Sequence, residues 1–208
     1  MTELSAGQFA LVCNFFSLTI AATGAAFLFL FGARSQVGPK YRVALLVSSA
    51  VVAITCYNYF CITSSWKDAF IMSGSATYVP SGRPFNNALH MFDWMLTAPL
   101  ALMAIVGVIG KNLREAFWGK IGQAVDMQPD KTKACITILR LLLIVTLVLY
   151  PISFLLPVFG INPELHMTSM QIGYATSDIA TKVFYGILIY WIARNNSKSE
   201  GLIPIDPN

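Results

Sequence analysis

Residues 7–32 read GQFALVCNFFSLTIAATGAAFLFLFG, a stretch without a charged side chain. A helix needs about 20 mostly apolar residues to cross the hydrocarbon core of a bilayer, and this stretch is long enough. Four further stretches of the same kind follow it, at 41–65, 84–109, 134–160 and 168–194. The sequence therefore predicts an all-α integral membrane protein, with residues 1–208 forming a single transmembrane domain of five spanning helices.

The composition also fits a lipid environment. Of the 208 residues, 56% are hydrophobic and only 12% are charged, which is not the balance of a water-soluble domain with a polar surface. The formal net charge is +4, but the basic residues cluster at the ends of the apolar stretches, where they can meet lipid head groups. We therefore expect a multi-pass protein of the cell membrane that contacts lipid and binds no nucleic acid.

The distribution of basic residues predicts the orientation, because cytoplasmic loops are enriched in lysine and arginine. The joint 66–83 has only Lys67 and Arg83, set against Asp68, and the joint 161–167 has no basic residue. The segments that alternate with these joints carry ten basic residues: Arg34, Lys40 and Arg42; Lys111, Arg114, Lys120, Lys131 and Lys133; and Arg194 and Lys198. The N-terminus is therefore predicted to face outward and the C-terminus inward.

The segment 111–125 has apolar residues four apart, at Leu113, Phe117, Ile121 and Val125, with charged residues between them. This pattern suits an amphipathic helix on the cytoplasmic membrane surface. An ordinary loop with one helical turn fits the same residues.

Most charged residues lie at the ends of the spans, and three exceptions stand out: Asp93, Asp178 and Lys182. A charge in hydrocarbon costs several kcal/mol and persists where it is paired or in use. Lys182 is roughly 17 Å from either end of its span, and Asp178 lies four residues before it on the same helix face. A buried salt bridge that fixes helix packing is one interpretation. The other is chemical, because a buried lysine amine condenses with an aldehyde and the carboxylates can balance and accept its proton.

Three motifs in chain order resemble the microbial (type 1) rhodopsins. Residues 93–100, DWMLTAPL, are similar to the helix C motif of that family, and residues 178–186, DIATKVFYG, are similar to its retinal-lysine motif. Arg140, followed by Tyr150 and Pro151, resembles helix F. With the first two spans, the resemblance covers nearly the whole chain.

The resemblance implies that Lys182 holds all-trans retinal as a protonated Schiff base. Asp93 is then the counter-ion and primary proton acceptor, and Asp178 the second counter-ion. The remaining implied roles are a hydrogen bond from Thr97 to Asp93, a helix B tyrosine at Tyr59 that hydrogen-bonds the counter-ion, and a retinal pocket lined by Trp94, Tyr150 and Pro151, with Leu147 and Phe154 at aromatic positions of helix F. No metal ligand cluster, phosphate-binding glycine loop or nucleophile with its base is evident, so we expect neither a metal site nor an enzyme.

The chain departs from the family where helices D and E are expected. The stretch 110–133 is too short and too polar for two crossings, so the resemblance implies a shortened form with only the equivalents of helices A, B, C, F and G. One side of retinal would then be open. A neighbouring protomer, lipid or the segment 111–125 has to close it, and we predict a homo-oligomer.

Two polar positions also differ from the family. His90 stands where the family has an arginine near the counter-ion, which predicts a pH-dependent counter-charge or a role in proton release, because histidine is charged only below a pKa of about 6.5. Ala104 replaces the carboxylic proton donor of many pumps, which predicts slow reprotonation through water.

These residues favour a retinal-binding, light-driven ion transporter, specifically an outward proton pump that uses Asp93 as acceptor. A light-gated ion channel or a sensory photoreceptor with a slow photocycle is the alternative. A membrane protein without a light response, in which Lys182 and Asp178 form a structural pair, is a further one.

Overall fold

The computed structural model describes residues 3–74, 76–109, 130–155 and 163–204, and they are mostly helical. This confirms the helical fold class predicted from the sequence. Three of the described segments are long and apolar enough to cross a membrane: Ala6–Gln36, Pro39–Ala69 and Ala88–Ile109. The surface segment predicted at 111–125 lies outside the described residues.

The helices lie over the apolar stretches of the sequence and differ from the predicted spans at their ends. The helix over the third predicted span begins at Ala88 rather than at Pro84. The helix over the fifth predicted span begins at Pro163 rather than at Thr168. In chain order they are α1 (Ala6–Gly32), α2 (Arg42–Ala69), α3 (Ala88–Ile109), α4 (Asp130–Leu155), α5 (Pro163–Asp178), a π-helical segment (Ile179–Phe184) and α6 (Tyr185–Ser199), with short 3-10 helices at Ala33–Gln36 and Pro39–Tyr41.

Local sequence signals explain where two of the helices begin. Ser5 and Gln8 form a capping box at the start of α1, since the Ser5 hydroxyl accepts from the Gln8 N–H at 3.2 Å and the Gln8 side chain accepts from the Ser5 N–H at 2.8 Å. Pro163 is the first residue of α5, a position where proline loses no helical hydrogen bond.

A small antiparallel sheet, which the sequence analysis did not predict, closes one end of the bundle. Its strands are β1 (Leu4–Ser5), β2 (Phe70–Ser73) and β3 (Thr77–Pro80), in the order β1-β3-β2. Phe9 of α1 stacks on Tyr78 of β3 with 3.9 Å between ring centroids. The sheet therefore ties the N-terminus to the joint between α2 and α3, and we call this the hairpin end.

The buried side chains form two apolar clusters, one toward each end of the bundle. The cluster at the hairpin end is aromatic, with Phe16, Tyr59 and Trp66 fully buried. The cluster toward the opposite end contains an aliphatic layer made of Leu45, Val52, Ala104, Val108, Ile136, Leu139, Ile189 and Ile192.

Candidate functional site

The two clusters are separated by a buried lysine that is paired with two carboxylates. Lys182, 4% exposed, lies in the π-helical segment between α5 and α6. Its ammonium nitrogen is 2.6 Å from Oδ1 of Asp178 and also contacts the carboxylate of Asp93 on α3. Helix packing thus brings together the three ionisable residues that the sequence places inside the spans. A π-helical turn within a long helix is frequently found at functional sites.

Asp178 receives three further hydrogen bonds from aromatic side chains. The hydroxyl of Tyr59 donates to Oδ2 at 2.7 Å, the hydroxyl of Tyr150 donates to Oδ1 at 2.7 Å, and the indole N–H of Trp94 donates to Oδ1 at 3.1 Å. With Lys182, four donors surround a carboxylate that is fully buried. Donors of this kind favour the ionised form of a carboxylate.

Asp93 has a different set of donors, and two of them were missed by the sequence analysis. The side-chain amide of Asn58 donates to Oδ1 at 2.9 Å, and the hydroxyl of Thr55 donates to the same oxygen at 3.1 Å. Thr97 donates at 2.8 Å to the main-chain carbonyl of Asp93, not to its carboxylate. The signal for Thr55 and Asn58 was available, since both are polar, lie within an apolar span, and are close to Tyr59 on the same helix.

His90 lies one turn before Asp93 on α3 and is completely buried. Its Nε2 hydrogen-bonds Oε1 of Gln171 at 2.9 Å, and the amide of Gln171 donates to Oδ1 of Asn87 at 3.0 Å. Its Nδ1 has no hydrogen-bond partner among the described residues. These three side chains form a hydrogen-bonded chain, here called the His90 chain, on the hairpin side of the carboxylates.

Aromatic rings stand beside the carboxylates. Trp94 and Tyr150 have ring centroids 4.3 Å apart, and Tyr174 lies 5.1 Å from both Trp94 and His90. Pro151 lies within α4 next to Tyr150 and is exposed. The side chains of Leu147 and Phe154 lie outside the described residues.

The side of Lys182 away from the hairpin end is lined mainly by apolar residues. Ala104, eleven residues after Asp93 on α3, is fully buried in the aliphatic layer. In that half the hydroxyl of buried Tyr185 donates to the carbonyl of Ala101. Near its far end Thr132 donates to Asn196 at 3.0 Å, and Asn196 donates to the carbonyl of Val108 at 3.1 Å. Within the described residues no cluster of histidine, cysteine and carboxylate side chains is suited to a metal ion.

The donor set fits a prosthetic aldehyde joined to Lys182. The amine is buried, as condensation to a stable product requires, and two carboxylates balance the positive charge that the nitrogen carries. The rings of Trp94 and Tyr150 supply an apolar wall next to the amine.

Comparison with known proteins gives a consistent family. The profile of the bacteriorhodopsin-like protein family matches residues 11–121 and 115–196, which together span most of the chain. The chain is also similar to the structure of xanthorhodopsin, described as a light-driven ion pump with dual chromophore, with 30% identity and a TM-score of 0.88 over 97% of this chain and 99% of that one. A thermophilic rhodopsin gives the same four values.

More distant structures share the fold alone. The rhodopsin of Exiguobacterium sibiricum is 16% identical, with a TM-score of 0.70 over 91% of this chain and 98% of that one. No curated protein matches the chain significantly.

Proposed function

We propose that this chain, which belongs to the bacteriorhodopsin-like protein family, is a retinal-binding, light-driven pump that moves protons out of the cell. The observation that carries the proposal is Lys182, a buried amine between two carboxylates with unequal surroundings. The relationship to light-driven ion pumps supports ion transport, and the residues around Lys182 support the proton as the ion.

Asp93 is the better candidate for the proton acceptor. Among the described residues, Asp178 has three aromatic donors besides Lys182, whereas the carboxylate of Asp93 has Asn58 and Thr55 besides Lys182. Because each donor stabilises the ionised form, Asp178 is held as a permanent anion and Asp93 takes up a proton more readily. The pair acts as a coupled unit with different tasks for its two members.

Lys182 would hold all-trans retinal, with Trp94 and Tyr150 beside it and Pro151, Leu147 and Phe154 nearby on α4. Bound there, retinal supplies light absorption and an isomerisation that changes how strongly the nitrogen of Lys182 holds its proton. The chain's own residues do the rest: Asp178 fixes the positive charge before transfer, and Asp93 receives the proton. Thr97 keeps the backbone of Asp93 in place through its carbonyl.

Proton release follows the His90 chain. His90 contacts Gln171 rather than either carboxylate, so it acts between Asp93 and the hairpin end. The scarcity of basic residues at the hairpin end supports an outward-facing N-terminus. A proton that passes His90, Gln171 and Asn87 would therefore leave the cell.

We also propose that the protein crosses the membrane with five helices. The two ranges matched by the family profile meet at 115–121, inside the stretch 110–133 that is too short for two crossings. A five-span body lacks one wall of the retinal pocket, and we propose that a second protomer provides it. Met95, next to Trp94, is 75% exposed, which leaves this side of α3 available to a partner. Cross-linking or native mass spectrometry in mild detergent tests this; a monomer that keeps its colour would contradict it.

A single set of experiments tests the pump. Cells that express the chain with added all-trans retinal should show a visible absorption band that K182A removes and K67A, a lysine at the hairpin end, does not. Illumination should acidify the cell suspension, and a protonophore should abolish the signal. Absence of colour would leave Lys182 as a structural partner of Asp178.

A sensory photoreceptor or a light-gated channel is the second candidate. It is favoured by the aliphatic layer, which has no carboxylate among the described residues and predicts a slow return of the proton. Colour with a slow photocycle and no pH change would support a sensor. Currents that reverse with the ion gradient would support a channel.

A further inference from the structure

A groove opens between the end of α1 and the start of α2, at the end of the bundle away from the hairpin. Its volume is about 460 Å³. Arg34 and Arg42 line its rim, and Phe31, Val43 and Leu46 line its apolar part. The groove is remote from Lys182, and the proposed proton path does not use it.

The two arginines are not neutralised by the part of the protein that the structure describes. The guanidinium of Arg34 lies 3.6 Å from the ring centroid of Phe31, and its Nε donates to the Phe31 carbonyl at 2.7 Å. This leaves its terminal nitrogens without an acceptor in the described ranges, where Arg42 also has no hydrogen bond or ion pair. The neighbouring Lys40, by contrast, is paired with Glu200 at 2.7 Å. Within the described residues, the groove therefore has two positive charges without an anionic partner, and one of them, Arg34, is held against the Phe31 ring.

The apolar part of the groove faces sideways, toward lipid. Val43 is 66% exposed, and Leu46 and Phe31 are 45% and 44% exposed. These residues belong to helices that are apolar and long enough to span a bilayer, so their exposed surface is available to acyl chains. Positive charge at the rim above an apolar channel matches the two parts of an anionic phospholipid.

We propose that this groove binds one anionic phospholipid, with its phosphate between Arg34 and Arg42 and an acyl chain along Val43 and Leu46. A guanidinium presents paired N–H donors whose geometry fits phosphate oxygens, and the contact of Arg34 with the Phe31 ring limits the positions its side chain can take. The lipid would join the ends of α1 and α2, where the chain is connected only by short 3-10 turns.

Native mass spectrometry of the full chain in mild detergent tests the site, with phosphatidylglycerol and phosphatidylcholine as probes. The wild type should retain one phosphatidylglycerol in preference to phosphatidylcholine. R34Q/R42Q should bind phosphatidylglycerol roughly 30-fold more weakly, with phosphatidylcholine unchanged. The matched control K67Q/R83Q removes two basic residues from the hairpin end and should behave as the wild type.

Two further measurements distinguish binding of the whole lipid from binding of its phosphate group alone. V43S/L46S keeps both arginines and should still weaken phosphatidylglycerol binding, because the chain loses apolar contact. Inorganic phosphate at the lipid's concentration should not displace it. Equal retention by R34Q/R42Q and the wild type, or displacement by phosphate, would overturn the proposal. If R34Q/R42Q does not fold, R34K/R42K is the alternative variant, which keeps both positive charges. It should bind phosphatidylglycerol several-fold more weakly than the wild type, because lysine lacks the paired donors of arginine. Binding of phosphatidylglycerol equal to that of the wild type would overturn the proposal.

Discussion

The bundle is polar on one side of Lys182 and aliphatic on the other. Toward the hairpin end, His90, Gln171 and Asn87 form a hydrogen-bonded chain that starts one helical turn from Asp93. Toward the opposite end lies the aliphatic layer around Ala104, where the Tyr185 hydroxyl donates to the carbonyl of Ala101, and beyond it lies the side-chain pair Thr132 and Asn196. Asn196 is fourteen residues beyond Lys182, a distance of roughly 20 Å along the helix.

This asymmetry has a direct consequence for proton movement. The hydrogen-bonded chain of His90, Gln171 and Asn87 lies on the hairpin side of Asp93, whereas the aliphatic layer on the opposite side has no carboxylate among the described residues that could return a proton. Release and reuptake are therefore expected to differ in rate and to occur at opposite ends. The slow step of the cycle should be reprotonation.

The largest effect is expected from removing the acceptor. D93N replaces the carboxylate with an amide that cannot take up the proton, and we expect light-driven acidification to fall by at least about 100-fold. The measurement is the initial rate of pH change in illuminated cells at matched pigment content. D68N, a carboxylate near the hairpin, is the control; acidification at the wild-type rate in D93N would show that the proton takes another route.

The second-largest effect is expected from adding a proton donor to the aliphatic half of the bundle. A104E adds an acid to the aliphatic layer, and a proton donor there should shorten the last phase of the photocycle by about 10- to 100-fold. Flash spectroscopy of the purified pigment measures it. A104Q has nearly the same volume without the acid, so equal acceleration in A104Q would mean that loosened packing, not a donor, is responsible.

A smaller change is expected when Asp93 loses one donor. N58L removes the amide that bonds its carboxylate at 2.9 Å while keeping a similar volume. Because the carboxylate that receives the proton then lacks one of its donors, we expect the rate of the proton-transfer phase of the photocycle to change by about 5-fold, measured by flash spectroscopy. N14L, at an exposed position of α1, should leave this rate unchanged, and a wild-type rate in N58L would contradict a role for Asn58.

The smallest effect concerns His90. A histidine adds positive charge near the carboxylates only when protonated, so the visible band of the wild type should vary with pH. H90R is charged throughout and should flatten this dependence, whereas H166R on α5 should not. Superimposable titrations of the wild type and H90R would refute the role of His90.

The membrane fold and the three central ionisable residues follow from the sequence for simple physical reasons. Long uncharged stretches such as 7–32 have to lie in lipid, and a lysine in the middle of such a stretch needs an anionic partner. The spacing of Asp178 and Lys182 places them on one helix face whatever the rest of the protein does. These features depend on the covalent chain and on one helix at a time.

The tertiary structure decided the rest. The contacts of Thr55 and Asn58 with Asp93, and the bond of His90 to Gln171 rather than to a carboxylate, join helices that are distant in sequence. Side-chain spacing on one helix cannot specify which face of another helix it meets. The three-stranded sheet at the hairpin end likewise depends on pairing between Leu4 and Tyr78, residues far apart along the chain. Hydropathy therefore determined that the helices of this protein lie in lipid. Packing between helices determined which donors surround each of its two buried carboxylates.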